Sequence, residues 1–435
     1  MKKYLKIILP LLILGGAAAY TLLPGFRTAA NQTVQNTRAL AAHYQLIGGP
    51  DALDIRQVIT KDSSTSRTIM WQSALSEPEA LVDYRLPGAG EAATVKATDE
   101  TFTDDKTTTY IHSATLTGLK PGTKYEYRVG YGDKRSQWQT LATADKSSVF
   151  KALIFPDSQS SDYNVWKETA APAWKANQDA QFFINMGDLV DNGEDHTQWH
   201  AWFDVVDSIH LADKIPLAPV MGNHETYNME WKVRQPLAYL HMFTLPKINL
   251  EQYQNQFYSF DYGEVHFTVL NTQLEEMAQF QPDLARDELE WLQQDLSSTK
   301  QKWKVVLMHK DVLQYSFNNR PEPRPEGISK EGQRFMPLFD QFKVDVVLTA
   351  HLHTYRNRGH IENFKRSEQG PLYLITGVAG NVRYPGLWKQ HSLDVTVAPQ
   401  PESDNYLTLE AGADFLRFNS FLPDGERIDT VEVKK

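Results

Sequence analysis

The alternation of apolar and polar residues divides the chain into two parts with different periodicities. Between Asp54 and about residue 144, short runs alternate with a period of two and are separated by Gly, Pro, Asp and Ser, as in TTYIHSATLTGL and KYEYRVGYG. This period is typical of strands that bury one face. We therefore predict a small all-β sandwich over residues 54–146.

Beyond residue 146, continuous apolar runs alternate with helical stretches. The predicted strands are KALIF, AQFFINM, IPLAPVM, EVHFTVLN, WKVVLM, VDVVLTA and LYLIT. Residues 284–296, LARDELEWLQQDL, carry apolar side chains at helical spacing and predict an amphipathic surface helix. This alternation predicts an α/β domain over residues 147–435, and its last part returns to a β pattern that predicts a terminal meander.

The N-terminal segment has the pattern of an export signal. Lys2, Lys3 and Lys6 precede an apolar run, and small residues including Ala17 and Ala19 follow it. We predict a signal peptide or a membrane anchor over residues 1–27 and a linker or short helix over residues 28–53. The body of the chain is then exported, to the periplasm or the cell envelope, because the basic residues come first.

Composition and charge limit the binding partners and the metal ligands that the chain can have. The formal net charge is −10, which argues against general binding to nucleic acid or to anionic membranes. The chain has 0 cysteines, so disulfides, thiolate metal ligands and cysteine nucleophiles are excluded. Any metal ion must therefore be held by His, Asp, Glu, Asn, Gln or Tyr.

Five of the predicted apolar strands end in residues that can bind metal. In α/β folds, sites form beyond the carboxyl ends of the strands, so these residues are expected to meet. The candidate ligands are Asp157, Gln159, Asp188, Asn223, His309, His351 and His353. They are too many for one tetrahedral zinc ion and enough for two ions that share one carboxylate. Nitrogen and oxygen ligands without sulfur suit Mn, Fe or Zn.

His351 and His353 are one residue apart after the run VVLTA. If the chain is still extended there, side chains at i and i+2 point to the same side. The sequence therefore predicts two imidazoles directed at one place.

These motifs together resemble those of a calcineurin-like metallophosphoesterase. They are the strand-end Asp157, GD at 187–188, GNHE at 222–225, the lone His309 and AHLH at 350–353. Two stretches resemble sequences of the purple acid phosphatase branch of this family. HLHTYR is similar to a motif of its catalytic domain, and TLTGLKPGTKYEYRVG at 115–130 is similar to its fibronectin type III-like N-terminal domain. The resemblance implies an α/β (α+β) fold, in which a four-layer metallophosphoesterase β-sandwich flanked by helices follows the small all-β domain.

The resemblance also implies roles for the candidate ligands. One metal would take Asp157, Asp188 and His353, with Gln159, and the other would take Asp188, Asn223, His309 and His351. Asp188 would bridge the two ions, and His224 would stabilise the transition state or protonate the leaving group. Two metal ions about 3.5–4 Å apart can activate a water molecule and offset charge during in-line attack on phosphorus.

Three positions depart from the family pattern. Asp191 replaces the tyrosine whose bond to iron colours the purple enzymes, so we predict no purple chromophore. Gln159 replaces the histidine that many family members carry two residues after the first aspartate, which predicts a weaker or differently selective first metal site. Ala350 replaces a glycine, with little chemical consequence.

Several polar residues on nearby loops are candidates for binding the substrate. They are Asp191, His196, Tyr227, Arg320 and Arg324. An arginine can bind a phosphate through two hydrogen bonds, although solvated loop charges are the commoner case. His196 could equally be a structural or surface residue.

The resulting expectation is an exported hydrolase of phosphoric esters with two divalent or trivalent metal ions. A phosphomonoesterase that acts on a small phosphoester with a metal-bound hydroxide is the first choice. A phosphodiesterase or nucleotide hydrolase is an alternative, because the same metal core serves both. A non-catalytic envelope binding protein with a degenerate metal site is the second alternative, which Gln159 and Asp191 favour.

Overall fold

The computed structural model describes residues 49–145, 149–317 and 324–435, together with residues 33, 34, 37 and 41. The predicted leader over residues 1–27, most of the predicted linker, and Arg320 lie outside the described residues. In the part that is described, no helix combines the length and the apolar character needed to cross a membrane.

The first domain consists of strands alone. They are β1 (Leu53–Val58), β2 (Arg67–Ser73), β3 (Ala80–Arg85), β4 (Ala93–Lys96), β5 (Thr98–Asp104), β6 (Thr107–Leu116), β7 (Lys124–Tyr131), β8 (Lys134–Arg135) and β9 (Gln139–Ala142). β1, β2, β6 and β5 form one sheet, and β4, β3, β7 and β8 form the other, with β9 on β7. Trp71 lies between them and donates a hydrogen bond from Nε1 to the Tyr131 hydroxyl at 2.8 Å.

The second domain has sixteen strands among the described residues. They are β10 (Phe150–Phe155), β11 (Phe182–Asn185), β12 (Leu217–Pro219), β13 (Tyr258–Tyr262), β14 (Val265–Leu270), β15 (Trp303–Met308), β16 (Leu313–Gln314), β17 (Gly327–Ile328), β18 (Val346–Thr349), β19 (Tyr355–Glu362), β20 (Lys365–Arg366), β21 (Leu372–Thr376), β22 (Thr396–Val397), β23 (Tyr406–Ala411), β24 (Phe415–Phe421) and β25 (Arg427–Lys434). The last three form the terminal meander.

Six α-helices accompany these strands in the described part of the chain. They are α1 (Tyr163–Ala176), α2 (His196–Ser208), α3 (Leu237–Met242), α4 (Leu274–Met277), α5 (Leu284–Ser298) and α6 (Lys330–Gln341), with 3₁₀ turns at His224–Thr226 and Glu251–Tyr253. Capping carboxylates fix the starts of the first two, because Asp162 accepts from Asn164 N–H, and Asp195 accepts from Thr197 and Gln198 N–H.

The second domain is built in four layers. β10, β11 and β12 are parallel in one sheet, and β14, β15, β18 and β21 are parallel in the other. Side chains from both sheets, such as Phe183 and Val305, share one core with Trp166 and Trp202 of α1 and α2. A second core joins the other sheet to α5 and α6, for example through Phe335. The predicted α/β architecture is thereby present.

The two domains share a sheet. β1 of the first domain pairs in parallel with β12 of the second, with Val58 opposite Leu217, and this joins their strands into a ten-stranded sheet. The sequence pattern predicted a small all-β sandwich, and the structure adds that β1 covers the strand edge that β12 would otherwise leave free. The first domain is thus attached directly to the sheet whose strands precede several of the candidate metal ligands.

Candidate metal centre

The candidate ligands converge at the carboxyl ends of five parallel strands. Asp157 follows β10, Asp188 follows β11 and Asn223 follows β12, all in the first sheet. His309 directly follows β15, and His351 and His353 come just after β18 in the second sheet. The facing edges of the two sheets thus bring together residues that lie almost two hundred positions apart.

Asp188, His309 and His351 form the first candidate ligand group, with one ligand atom from each residue within 4.8 Å of the others. Oδ2 of Asp188 lies 3.0 Å from Nε2 of His309. Oδ1 of Asn223 lies 3.2 Å from the same imidazole nitrogen, so the amide oxygen faces this group as well. These are the four residues expected to hold one metal ion.

Asp157, Asp188 and His353 form the second group, again with ligand atoms within 4.8 Å of one another. Oδ2 of Asp157 lies 3.2 Å from Nε2 of His353. Asp188 belongs to both groups, as a bridging carboxylate must. The side chains of Asp157 and His353 are at most 2% exposed.

Hydrogen bonds at Nδ1 prepare two of the histidines for metal binding. Nδ1 of His309 lies 2.9 Å from the Met186 carbonyl oxygen, and Nδ1 of His353 lies 2.8 Å from that of Val382. A carbonyl can only accept, so Nδ1 carries a proton in both rings, and Nε2 is the nitrogen through which each ring can bind a metal. Both Nε2 atoms face carboxylates of the candidate ligand groups.

The two histidines after β18 reach their places in a different way from the one predicted. β18 ends at Thr349, and His351 and His353 have left-handed backbone conformations with φ of 70° and 52°. The extended-chain explanation is therefore wrong, because a turn separates the two side chains and sends each to a different group. Asp188 is also left-handed, with φ of 48°, and such strain at non-glycine residues concentrates at functional sites.

Gln159 lies beside these groups, and one polar atom of its side chain has no hydrogen-bond partner in the described part of the chain. Its Nε2 is 3.3 Å from Nε2 of His224 and 3.4 Å from Oδ1 of Asp191. Its Oε1 is buried and has no hydrogen-bond partner among the described residues. A buried amide oxygen without a partner is costly unless something absent from the protein chain binds it, and a metal ion is such a partner.

The Glu225 carboxylate connects two ligand loops of the site by hydrogen bonds, a role that was not predicted from the sequence. Its carboxylate accepts hydrogen bonds from the backbone N–H groups of Gly222 at 2.7 Å, Leu189 at 2.8 Å and Asp188 at 3.0 Å. Burial, and then the charge of Asp188, raise the pKa of Glu225 to about 7. Its position after GNH in the motif was the available signal, but only the fold shows that it holds the two ligand loops together.

The carboxylate of Asp188 interacts electrostatically with the histidines around it. Burial alone would raise the pKa of this carboxyl, but the imidazoles of His309 and His224 hold it well below its usual range. Burial, and then the charge of His309, lower the pKa of His351 well below its ordinary value. An ionised carboxylate beside a neutral imidazole is the ligand state that a divalent metal requires.

His224, the candidate acid, lies next to the shared carboxylate. Its backbone N–H donates to Oδ1 of Asp188 at 2.8 Å, and its Nδ1 lies 2.6 Å from the Asp191 carbonyl oxygen. The Nδ1 proton is therefore fixed, and Nε2 faces Gln159 in the site. Burial opposes protonation of this ring, but the negative charge of Asp188 raises the pKa of His224 above its ordinary value.

The structure brings two of the predicted substrate residues to His224. A carboxylate oxygen of Asp191 lies 3.6 Å from Nδ1 of His224, and the Tyr227 ring meets the imidazole edge-on with centroids 5.7 Å apart. Asp191 and Tyr227 thus lie beside the candidate acid, and their role in binding the substrate stays a prediction.

Two other candidates have structural partners. His196 is buried against the ring of His200, with centroids 5.2 Å apart, and burial lowers the pKa of His196 to about 4. Arg324 donates from Nε to the Tyr315 carbonyl oxygen at 2.9 Å and covers the Phe317 ring. Both side chains thus have partners within the protein, and their role in binding the substrate stays a prediction.

The donor set fits two metal ions. Carboxylate, amide and imidazole donors converge, one carboxylate belongs to both groups, and the buried Oε1 of Gln159 beside them has no hydrogen-bond partner in the described chain. Such nitrogen and oxygen ligation suits Mn, Fe or Zn.

Comparison with known proteins gives two family matches. Residues 53–143 match the N-terminal domain of purple acid phosphatases, and residues 152–355 match the calcineurin-like phosphoesterases. Purple acid phosphatase 21 from Arabidopsis thaliana is 28% identical over 277 residues, which cover 62% of this chain and 58% of the relative. Acid phosphatase type 7 from Mus musculus is 24% identical over 62% of this chain and 64% of its own length.

A solved structure is similar in fold. Purple acid phosphatase PPD1 from yellow lupin seeds superimposes with a TM-score of 0.70 at 19% identity, over 89% of this chain and 75% of the lupin chain. This likeness confirms the predicted fold class, including the all-β domain that precedes the four-layer domain. The chain spans about three fifths of the length of the curated relatives it matches.

Proposed function

The chain belongs to the calcineurin-like phosphoesterases, in their purple acid phosphatase-like branch, and we propose on that basis that it hydrolyses phosphoric monoesters with two metal ions. The observation that carries the proposal is the sharing of Asp188 by two ligand groups, with Nε2 of His309 and of His353 directed at their carboxylates. A binding protein would have no physical need for such a bridged arrangement with an imidazole acid beside it.

Each of the two metal ions would have its own set of ligand residues, with Asp188 in both sets. Asp157, Asp188 and His353, with Gln159, would hold one ion, while Asn223, His309 and His351, again with Asp188, would hold the other. Two bound ions would supply Lewis-acid activation of water and offset charge on the phosphoryl oxygens. Glu225 fixes the backbone of both ligand loops, so these donors keep their positions during turnover.

His224 supports the departure of the alcohol. When protonated at Nε2, it can donate that proton to the leaving oxygen as the phosphorus–oxygen bond breaks. The Asp191 carbonyl accepts the Nδ1 proton and keeps the ring oriented.

The test compares a monoester with a diester. Leader-free protein is treated with chelator, and hydrolysis of p-nitrophenyl phosphate and bis-p-nitrophenyl phosphate is measured after adding Mn, Zn, Fe(II) or Mg singly. The proposal expects metal-dependent turnover with preference for the monoester. Preference for the diester would favour a phosphodiesterase instead, and no turnover together with an empty metal site would favour a non-catalytic binding protein.

We also propose that the protein is exported, to the periplasm or the cell envelope. The support is the basic, apolar and small-residue order of residues 1–27, with Lys2, Lys3 and Lys6 in front. Cell fractionation followed by determination of the N-terminal residue tests both export and cleavage. Recovery of the protein from the cytoplasm with Met1 intact would contradict export.

A further inference from the structure

An exposed tryptophan lies against the candidate acid. The Trp231 side chain is 56% exposed, and its ring meets the imidazole of His224 edge-on, with centroids 5.9 Å apart and an interplanar angle of 85°. Single exposed apolar side chains are common and need no explanation. This ring, however, lies directly beside the residue proposed to protonate the leaving oxygen.

The backbone holds Trp231 in an uncommon conformation. Its φ is 59°, in the left-handed region that bulky residues rarely adopt. The turn around it enforces this: Trp231 N–H donates to the Asn228 carbonyl at 2.8 Å, and the Asn228 side chain accepts from the N–H groups of Glu230 and Lys232. The turn therefore holds the Trp231 backbone in a fixed conformation beside His224.

Two tyrosines extend the aromatic surface around the site. Tyr227 lies 5.7 Å from His224 and 6.1 Å from Trp231 between ring centroids. Tyr384 lies 5.0 Å from the ring of His353 and is 36% exposed. The rims beside the candidate acid and beside one of the metal ligands are therefore both aromatic.

We propose that Trp231 and Tyr227 bind an aromatic ring of the leaving group, so that the substrate is a phosphoric monoester of an aromatic alcohol. This rests on the proposed hydrolysis, in which water oxygen bonds to phosphorus, the ester bond to the leaving oxygen breaks, and that oxygen takes the proton from Nε2 of His224. The departing alcohol must lie on the His224 side, and the two aromatic rings form that side. Stacked or edge-on aromatic pairs stabilise a complex by about 0.5–1.5 kcal/mol.

The test removes the ring and keeps the backbone. Asparagine tolerates the left-handed region, so Trp231→Asn deletes the indole with little strain, and Trp231→Phe restores a ring. The matched control is Phe364→Asn, because Phe364 is 40% exposed and also left-handed, with φ of 63°. For each protein, kcat/KM is measured with 2-naphthyl phosphate and with ethyl phosphate, and the ratio of the two is compared.

The proposal expects the naphthyl-to-ethyl ratio to fall by about 2- to 10-fold in Trp231→Asn, to recover in Trp231→Phe and to stay unchanged in Phe364→Asn. A larger fall of kcat/KM for ethyl phosphate than for 2-naphthyl phosphate would overturn it and make Trp231 a positioning residue for His224, because an alkoxide leaving group depends more on protonation than a naphtholate does. An unchanged ratio would also overturn it. Failure of the proposed function is distinct, because wild-type protein would then hydrolyse neither substrate.

Discussion

The guanidinium of Arg234 lies 2.6 Å from the carboxylate of Asp104, across the junction between the two domains. Arg234 belongs to the segment that follows His224, and Asp104 ends β5 of the first domain. The same guanidinium lies 3.3 Å from Glu194, which in turn accepts from the Met229 N–H at 2.8 Å. The all-β domain therefore holds the loop that carries the candidate acid.

The first prediction concerns the ion pair between Arg234 and Asp104. Arg234→Gln and Asp104→Asn should each lower kcat, with the metal content unchanged, because the loop bearing His224 loses its anchor. Both side chains are largely buried, so removing one partner should destabilise the fold by about 1–3 kcal/mol. A double-mutant cycle of urea unfolding and of kcat measures the coupling between them.

A matched control is available on the same segment. Lys232 pairs with Glu230, but both side chains are more than two thirds exposed, so Lys232→Gln should change neither quantity measurably. A coupling near zero between Arg234 and Asp104 would contradict the proposed role of the first domain.

The second prediction concerns the close packing of the ligand loops. A Cβ atom at Gly222 would lie 2.1 Å from Oδ1 of Asp188 and 2.2 Å from its backbone nitrogen. Gly222→Ala should therefore displace the shared carboxylate and lower both metal content and turnover. Gly327→Ala is the control, because a Cβ there meets nothing within 4 Å. Full metal content in Gly222→Ala, measured by elemental analysis, would show that Asp188 does not need this position.

The third prediction concerns pH and lies away from the metals. Nδ1 of His266 is 2.7 Å from Asp261, and Nε2 is 2.9 Å from Asp295. Burial opposes protonation, but these two carboxylates raise the pKa of His266 to about 9. Because the folded-state pKa is above the unfolded value, the stabilisation is complete below about pH 6.5 and is lost as the pH rises through about 9.

Urea unfolding of wild-type protein and of His266→Gln from pH 6 to pH 10 measures this contribution. The difference between their free energies of unfolding should shrink by about 1–3 kcal/mol over that range, the lower figure reflecting solvent screening at the partly exposed Asp261. A difference that does not vary with pH would mean that His266 is not charged in the folded protein.

The fourth prediction concerns colour. Asp191 stands at the position where the purple enzymes carry the iron-binding tyrosine, and its carboxylate lies near Gln159 and His224. Protein loaded with iron should lack the visible iron–phenolate absorption band, whereas Asp191→Tyr loaded in the same way should gain one. Absorption spectra of both proteins decide this. A visible band of that type in the wild-type protein would show that another tyrosine binds the metal.

The strand-end chemistry was predictable because apolar runs followed by Asp, Asn or His are local patterns. Other features depend on contacts that leave no local pattern. The pairing of Val58 with Leu217 joins strands far apart in sequence, and Glu225 gains its role only from loops that fold around it. The exposed position of Trp231 was equally hidden, since a tryptophan in a loop and one in a core look the same in sequence.

The most direct test of the dinuclear site is the variant Asp188→Asn. The wild-type protein should bind two metal ions per chain and hydrolyse p-nitrophenyl phosphate, whereas Asp188→Asn, still folded by circular dichroism, should lose bound metal and turnover together. Asp414→Asn, which alters an exposed carboxylate, serves as the control. Asp188→Asn protein that keeps two metal ions and the wild-type rate would contradict the assignment of Asp188 as the bridging ligand.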